Sequence, residues 1–161
     1  MTEISIRVAD PKQDMNALRA LLVRLQDRQH KDNPDLPTGE ELVDGYLKFM
    51  WRRIDKRGGR VFLAEAQGTL IGFINVLMHV PRREPDDPFD EHALISELYV
   101  EPDYRGQGIA ANLVEAGAQA VKKAQVAELR VGADAGNEAA AKLYGKLGFR
   151  PLMTLYGRRL E

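Results

Sequence analysis

Arg105, Gly106, Gln107, Gly108, Ile109 and Ala110 follow a strand-like run, Ile95 to Val100, and a short turn, Glu101 to Tyr104. They open a long alanine-rich segment with helical spacing. Strand, glycine-rich turn and helix start together make a site for an anion. The first amides of a helix have no intrahelical acceptor and carry the positive end of the helix dipole. Glycine lets that backbone come close to a phosphate. Downstream, Asn137 and Tyr144 are spaced to share one face of a helix. A phenol there can give a proton to a leaving group. Glu97, on the strand before the turn, is a carboxylate able to take a proton from an ammonium group.

The spacing narrows the ligand. Neither the dinucleotide pattern G-x-G-x-x-G nor the P-loop pattern G-x-x-x-x-G-K-[ST] is present. What stands there is Arg105-x-x-Gly108-x-Ala110, directly after Glu97-Leu98-Tyr99-Val100-Glu101-Pro102. This resembles the pyrophosphate motif Q/R-x-x-G-x-G/A of the GNAT superfamily, the acetyl-CoA-dependent N-acyltransferases. A glycine turn alone is also a plain strand-to-helix connection; the register of Arg105, Gly108 and Ala110 favours the phosphate reading. The stretch Leu143-Tyr144-Gly145-Lys146-Leu147-Gly148-Phe149 also matches that family. The resemblance is densest from Glu97 to Phe149 and weak before residue 60.

The resemblance implies acetyl-CoA as acetyl donor. The backbone of Arg105, Gly106, Gln107, Gly108, Ile109 and Ala110 would hold its pyrophosphate. The strand backbone around Leu98 and Val100 would hold the pantetheine arm, and the Val100 amide would polarise the thioester oxygen. Asn137 would contact the arm, and Tyr144 would be the general acid for the departing thiolate. As rival readings, Asn137 is a helix N-cap and Tyr144 a core aromatic. Glu97 would be the general base; it also reads as an exposed strand glutamate, or as an acid that only attracts the amine. Ser96 and Tyr99 alternate with Glu97 and Leu98, so the face that Glu97 occupies depends on whether a bulge interrupts the strand.

The elements that must position these groups follow from periodicity. Ile4, Ile6 and Val8 alternate with polar residues and predict a strand. Asp10-Pro11 reads as a cap and first helical residue, with a helix to about Gln29 carried by Met15, Leu18, Leu22 and Leu25. Thr38 with Glu41 forms a capping-box pattern for a second helix, ended by Gly58-Gly59. Residues 60–66 and 69–80 read as a hairpin about Gln67-Gly68, and 92–100 as the next strand. A helix over 108–125, a strand over 128–133, a helix over 137–147 and a last strand or pair over 149–160 complete the order. The fold class is α/β: a mixed, partly antiparallel central sheet flanked by helices on both faces, as in GNAT proteins. Residues 1–161 are read as one domain.

Composition bounds the rest. The chain has 161 residues, 44% hydrophobic and 29% charged, with net charge −1, so no nucleic-acid footprint is expected. Cysteine is absent, which removes a thiol acyl-enzyme and fits a reducing cytoplasm. No apolar run reaches ~18 residues, so no membrane span is expected. The opening MTEISIRVAD is not of signal-peptide type. His30, His79 and His92 lack ligand spacing, and no metal is expected. Glu84, Asp86, Asp87, Asp90 and Glu91 form an acidic loop that could attract a cationic amine, with a solvated loop as the plainer reading. Lys48, Arg52, Arg53, Lys56 and Arg57 make the second helix basic, and Tyr46, Phe49 and Trp51 lie on it or beside it, in a region that often forms the acceptor wall in the family. The expected partner is a small-molecule or peptide amine acceptor, and the resemblance is compatible with a homodimer. An acyl-CoA-binding sensor without turnover is the alternative reading.

Overall fold

The computed structural model describes residues 3–160. Met1 and Thr2, the first residues of the N-terminal stretch read above, and Glu161 lie outside the described residues. The elements are β1 (Ile4–Val8), α1 (Met15–Asp32), α2 (Gly39–Arg57), β2 (Arg60–Ala66), β3 (Thr69–Pro81) and β4 (Glu91–Val100). A 3-10 turn (Pro102–Tyr104), α3 (Ile109–Lys123), β5 (Leu129–Val131) and α4 (Glu138–Lys146) follow. The sheet runs β1-β2-β3-β4-β5, antiparallel except for the parallel β4–β5 pair. This is the mixed sheet with helices on both faces that the element order predicts.

Alternation along β2 and β3 divides the core in two. Val61, Leu63, Phe73 and Leu77 face α1 and α2, where they meet Leu18, Leu21, Val43 and Met50. Ala64, Ile74, Val76 and Met78 face α3, where they meet Ile109, Leu113, Val114 and Val121. Each fully buried Leu, Ile or Phe contributes about 1.5–3 kcal/mol. Close helix approach depends on Gly117: a Cβ there would come within 2.9 Å of Val76 Cγ2.

Several local signals act as the sequence predicts. Thr38 and Glu41 form both halves of the capping box, with Thr38 N donating to Glu41 Oε2 at 2.9 Å. Gln67 and Gly68 both have positive φ, 49° and 76°, which suits a tight hairpin turn. Gly148, with φ 84°, follows α4.

Three differences from the expected elements have a physical cause in the structure. α1 starts at Met15, not at Pro11. The cause is the Asp14 carboxylate, which accepts two bonds from Arg7 at 2.7 and 2.8 Å and one from Asp10 N at 2.7 Å. Residues 10–14 are thereby closed into a turn, and Asp14 gives no side-chain cap. β5 is shorter than 128–133, because its pairing with β4 stops at Ile95 and Val131. The expected last strand over 149–160 is absent: residues 150–160 carry no regular structure and are exposed. Alternating residues make a strand only when a neighbouring edge pairs with them, and no described strand pairs with this segment.

Candidate functional site

The site begins with one extra residue in β4. Asn75 pairs with Glu97, but its neighbour Val76 pairs with Ile95, so Ser96 is bulged out of the ladder. The bulge resets the alternation. Ile95 packs on the α3 side, whereas Tyr99, four residues on, packs on the α1/α2 side. Glu97 therefore shares the α1/α2 face with Tyr99, while Leu98 and Val100 face α3.

The same point marks a parting of the sheet. Parallel pairing of β4 with β5 ends at Ile95 and Val131. Beyond it a cleft of ≈ 1390 Å³ opens, lined by Ser96 to Val100, by Gly132 to Asp134 and by the start of α3. Glu101 N donates to Ile71 O at 2.8 Å, so that amide faces β3. Alternate residues point the other way, which turns the peptide groups of Leu98 and Val100 over the gap. In agreement, Val100 O accepts from Arg105 Nε at 2.8 Å.

At the end of the cleft the chain turns into α3. Gly106 and Gly108 have φ 75° and 81°, a left-handed backbone that favours glycine. A Cβ on either would meet no other atom within 4 Å, so both border open space. Gly108 is the N-cap of α3 and offers no side-chain cap. Asn112 N closes the first turn on Gly108 O at 3.0 Å, which leaves the amides of Ile109, Ala110 and Ala111 without a helical acceptor. The Ile109 side chain is core, so this residue offers only its amide. Gln107 turns its side-chain amide back to Asp103 O at 3.5 Å. The Arg105 guanidinium lies 5.7 Å from the centre of the Tyr99 ring.

The far wall is α4. Asn137 caps it, its Oδ1 accepting from Ala140 N at 3.1 Å, and its amide nitrogen stays free for another partner. Tyr144 lines the same cleft and is half-buried, its ring 5.5 Å from that of Phe149. Burial pushes its phenol above the ordinary range, so it remains protonated at neutral pH.

Glu97 forms the floor on the α1/α2 side. It is only 8% exposed, which excludes the reading as an exposed strand glutamate. Tyr46 Oη, from α2, donates to its Oε1. Asn75 Nδ2, from β3, donates to its Oε2 at 2.7 Å. Burial raises its carboxyl to about 8. Leu25 and Leu42 line the cleft beside Tyr46, giving that wall an apolar side.

Of the expected catalytic and cofactor-binding residues, all but Gln107 line this cleft. Asn75 was missed; the signal was a lone amide inside the apolar run Ile71 to Met78. The acidic loop does not border the cleft: Asp87 holds Arg130 at 2.7 and 2.8 Å, Asp90 pairs with Arg82, and Glu91 with His79. The basic residues of α2 are also elsewhere, Arg53 lying over Phe49 at 5.1 Å. Among the described residues no His, Asp and Glu cluster has the makings of a metal site, and no helix is long and apolar enough to cross a membrane.

Comparison with known proteins adds the following. Residues 22–149 match the acetyltransferase (GNAT) family. Over 110 residues the chain is 33% identical to an uncharacterised N-acetyltransferase of Methanocaldococcus jannaschii, covering 65% of this chain and 43% of that protein. Over 111 residues it is 31% identical to the N-alpha-acetyltransferase MAK3 of Arabidopsis thaliana, covering 69% of this chain and 52% of that protein. The match thus spans about half the length of these curated relatives. An aminoglycoside N-acetyltransferase solved in complex with CoA has the same fold, with a TM-score of 0.70 at 20% identity over 98% of this chain and 99% of that chain.

Proposed function

We propose that this chain, which belongs to the acetyltransferase (GNAT) family, transfers the acetyl group of acetyl-CoA to a primary amine by direct attack, residues 1–161 acting as one such domain. The observation that carries the reading is the parted sheet: unpaired β4 backbone leads straight to an uncapped, glycine-flanked helix start. Those features fit a ligand with an amide-bearing arm and a pyrophosphate. The amides from Gly106 to Ala110, with Arg105 beside them, would hold the phosphates. The peptide groups of Leu98 and Val100 would pair with the arm, and the Asn137 amide would reach it from α4.

Acetyl-CoA supplies an acetyl group activated as a thioester. Glu97 takes the proton that an incoming ammonium must lose. The Val100 N–H, turned over the gap, donates to an oxygen that gains charge there. Tyr144, kept neutral by burial, gives its proton to the leaving sulfur. The lack of cysteine in all 161 residues supports direct transfer and a reducing compartment such as the cytoplasm. The exposed apolar side chains of Leu152, Met153, Leu155 and Tyr156 support association of two copies. The acceptor is a small amine or a protein amino group.

The test is CoA release from acetyl-CoA against polyamines, aminoglycosides, amino acids and peptides, with calorimetric binding alongside. Release with one class names the acceptor. Tyr144→Phe is expected to lower kcat by about 100-fold or more with cofactor affinity kept. Unchanged kcat would remove the acid role, and tight binding without turnover of any amine would favour the sensor.

A further inference from the structure

Both oxygens of Glu97 are occupied by neutral partners. Tyr46 Oη holds Oε1, and Asn75 Nδ2 holds Oε2 at 2.7 Å. Each partner has an unused capacity of the opposite kind. A hydroxyl accepts as well as donates, and a side-chain amide carries a carbonyl beside its NH2. In Asn75, 2% exposed, that carbonyl oxygen is buried and has no partner. A buried acceptor left unpaired is costly, and few are tolerated without a use.

We propose that Tyr46 and Asn75 are positioning residues for Glu97 that hold its carboxyl in both protonation states. Toward the carboxylate, both donate. When one proton passes from the ammonium of the acceptor to Oε2, the new O–H needs an acceptor, and Asn75 turns its amide over to present Oδ1. The orphaned oxygen is then satisfied. Tyr46 keeps Oε1 throughout, so the carboxyl does not swing. The proton later leaves Oε2 for water, and Asn75 turns back.

Neutral partners matter here. A lysine or arginine in either place would hold only the anion and draw the carboxyl far below neutral pH. From α2 the group facing Glu97 is Tyr46, from β3 Asn75, and from its own strand Tyr99. Arg28 and Asp32 of α1 line the same cleft, and burial raises the carboxyl while the two neutral donors favour its anion. This inference rests on Glu97 being the base, so the experiment separates the two.

The experiment follows the Glu97 side-chain carboxyl and the Asn75 side-chain NH2 by NMR against pH in the cofactor-free protein, assigned with Glu97→Gln and Asn75→Leu. It is repeated for Tyr46→Phe and Asn75→Leu, and the pH profile of kcat/KM is measured for all. Each substitution removes a hydrogen bond that is stronger to the carboxylate than to the neutral acid. The carboxyl is expected to titrate about one pH unit higher, with the acid limb of kcat/KM moving equally and activity at neutral pH falling about tenfold. In the unaltered protein the Asn75 NH2 signal is expected to change with the Glu97 midpoint. Tyr46 is partly exposed, so Tyr46→Phe carries the test if Asn75→Leu does not fold. A carboxyl titration unmoved in the folded variants, or an Asn75 signal blind to it, overturns the inference. If the carboxyl moves as expected but the acid limb does not follow, the positioning stands and the base role of Glu97 falls.

Discussion

Glu97 ties stability to pH. Burial raises its folded value to about 8, while an unfolded chain ionises the same group near ~4.3. Between those values the folded chain holds a proton that the unfolded chain has released. Stability is therefore full below the lower value, declines as pH rises, and levels off above the upper one. The slope from this group is up to about 1.4 kcal/mol per pH unit. Glu97→Gln removes it: the variant is expected to gain on the parent protein as pH rises from 5 to 9 while losing acetyl transfer. Thermal melts across that range read the difference, and parallel curves would mean that Glu97 does not titrate there. An acid on the strand before the glycine turn was legible in the sequence. Its burial and its partners were not, since Tyr46 lies 51 positions away and Asn75 22; Asn75 meets Glu97 through cross-strand register, and Tyr46 through the packing of α2 on the sheet.

At the scale of elements, the start of α3 carries the sharpest expectation. Gly108 holds φ 81° with open space around it, so Gly108→Ala adds backbone strain of about 1–2 kcal/mol rather than a clash. A lower thermal midpoint and an acetyl-CoA affinity reduced about tenfold are expected by calorimetry, whereas unchanged affinity would detach this turn from the phosphates. Helix starts were legible when the signal was local. The Thr38 and Glu41 pair lies within one turn and caps α2 as read. Asp10-Pro11 misled because Arg7 claims Asp14 and closes a turn first. The expected strand over 149–160 failed for a related reason. Alternation describes a face, and pairing needs an edge that a local pattern cannot supply.

Over the whole molecule, the two apolar layers on either side of the sheet involve none of residues 150–160. In that tail Met153, Leu155 and Tyr156 are 82%, 88% and 89% exposed, and Arg159 reaches Asp35 in the loop after α1. Deleting residues 152–160 is expected to leave the thermal midpoint of a dilute sample within a few degrees, and to weaken association measured by light scattering. A large loss of stability in the monomer would mean that the tail packs on its own chain. The bulge at Ser96 has a wider consequence. It divides β4 into two stretches of opposite parity: odd positions before it belong to one layer, and odd positions after it to the other. A chain lacking this single residue would keep the same strand, turn and helix, yet turn its acid toward α3 and Leu98 and Val100 toward α1 and α2. Any comparison of this strand with another must therefore count from the bulge, and a substitution that is conservative on one side of it is inverted on the other.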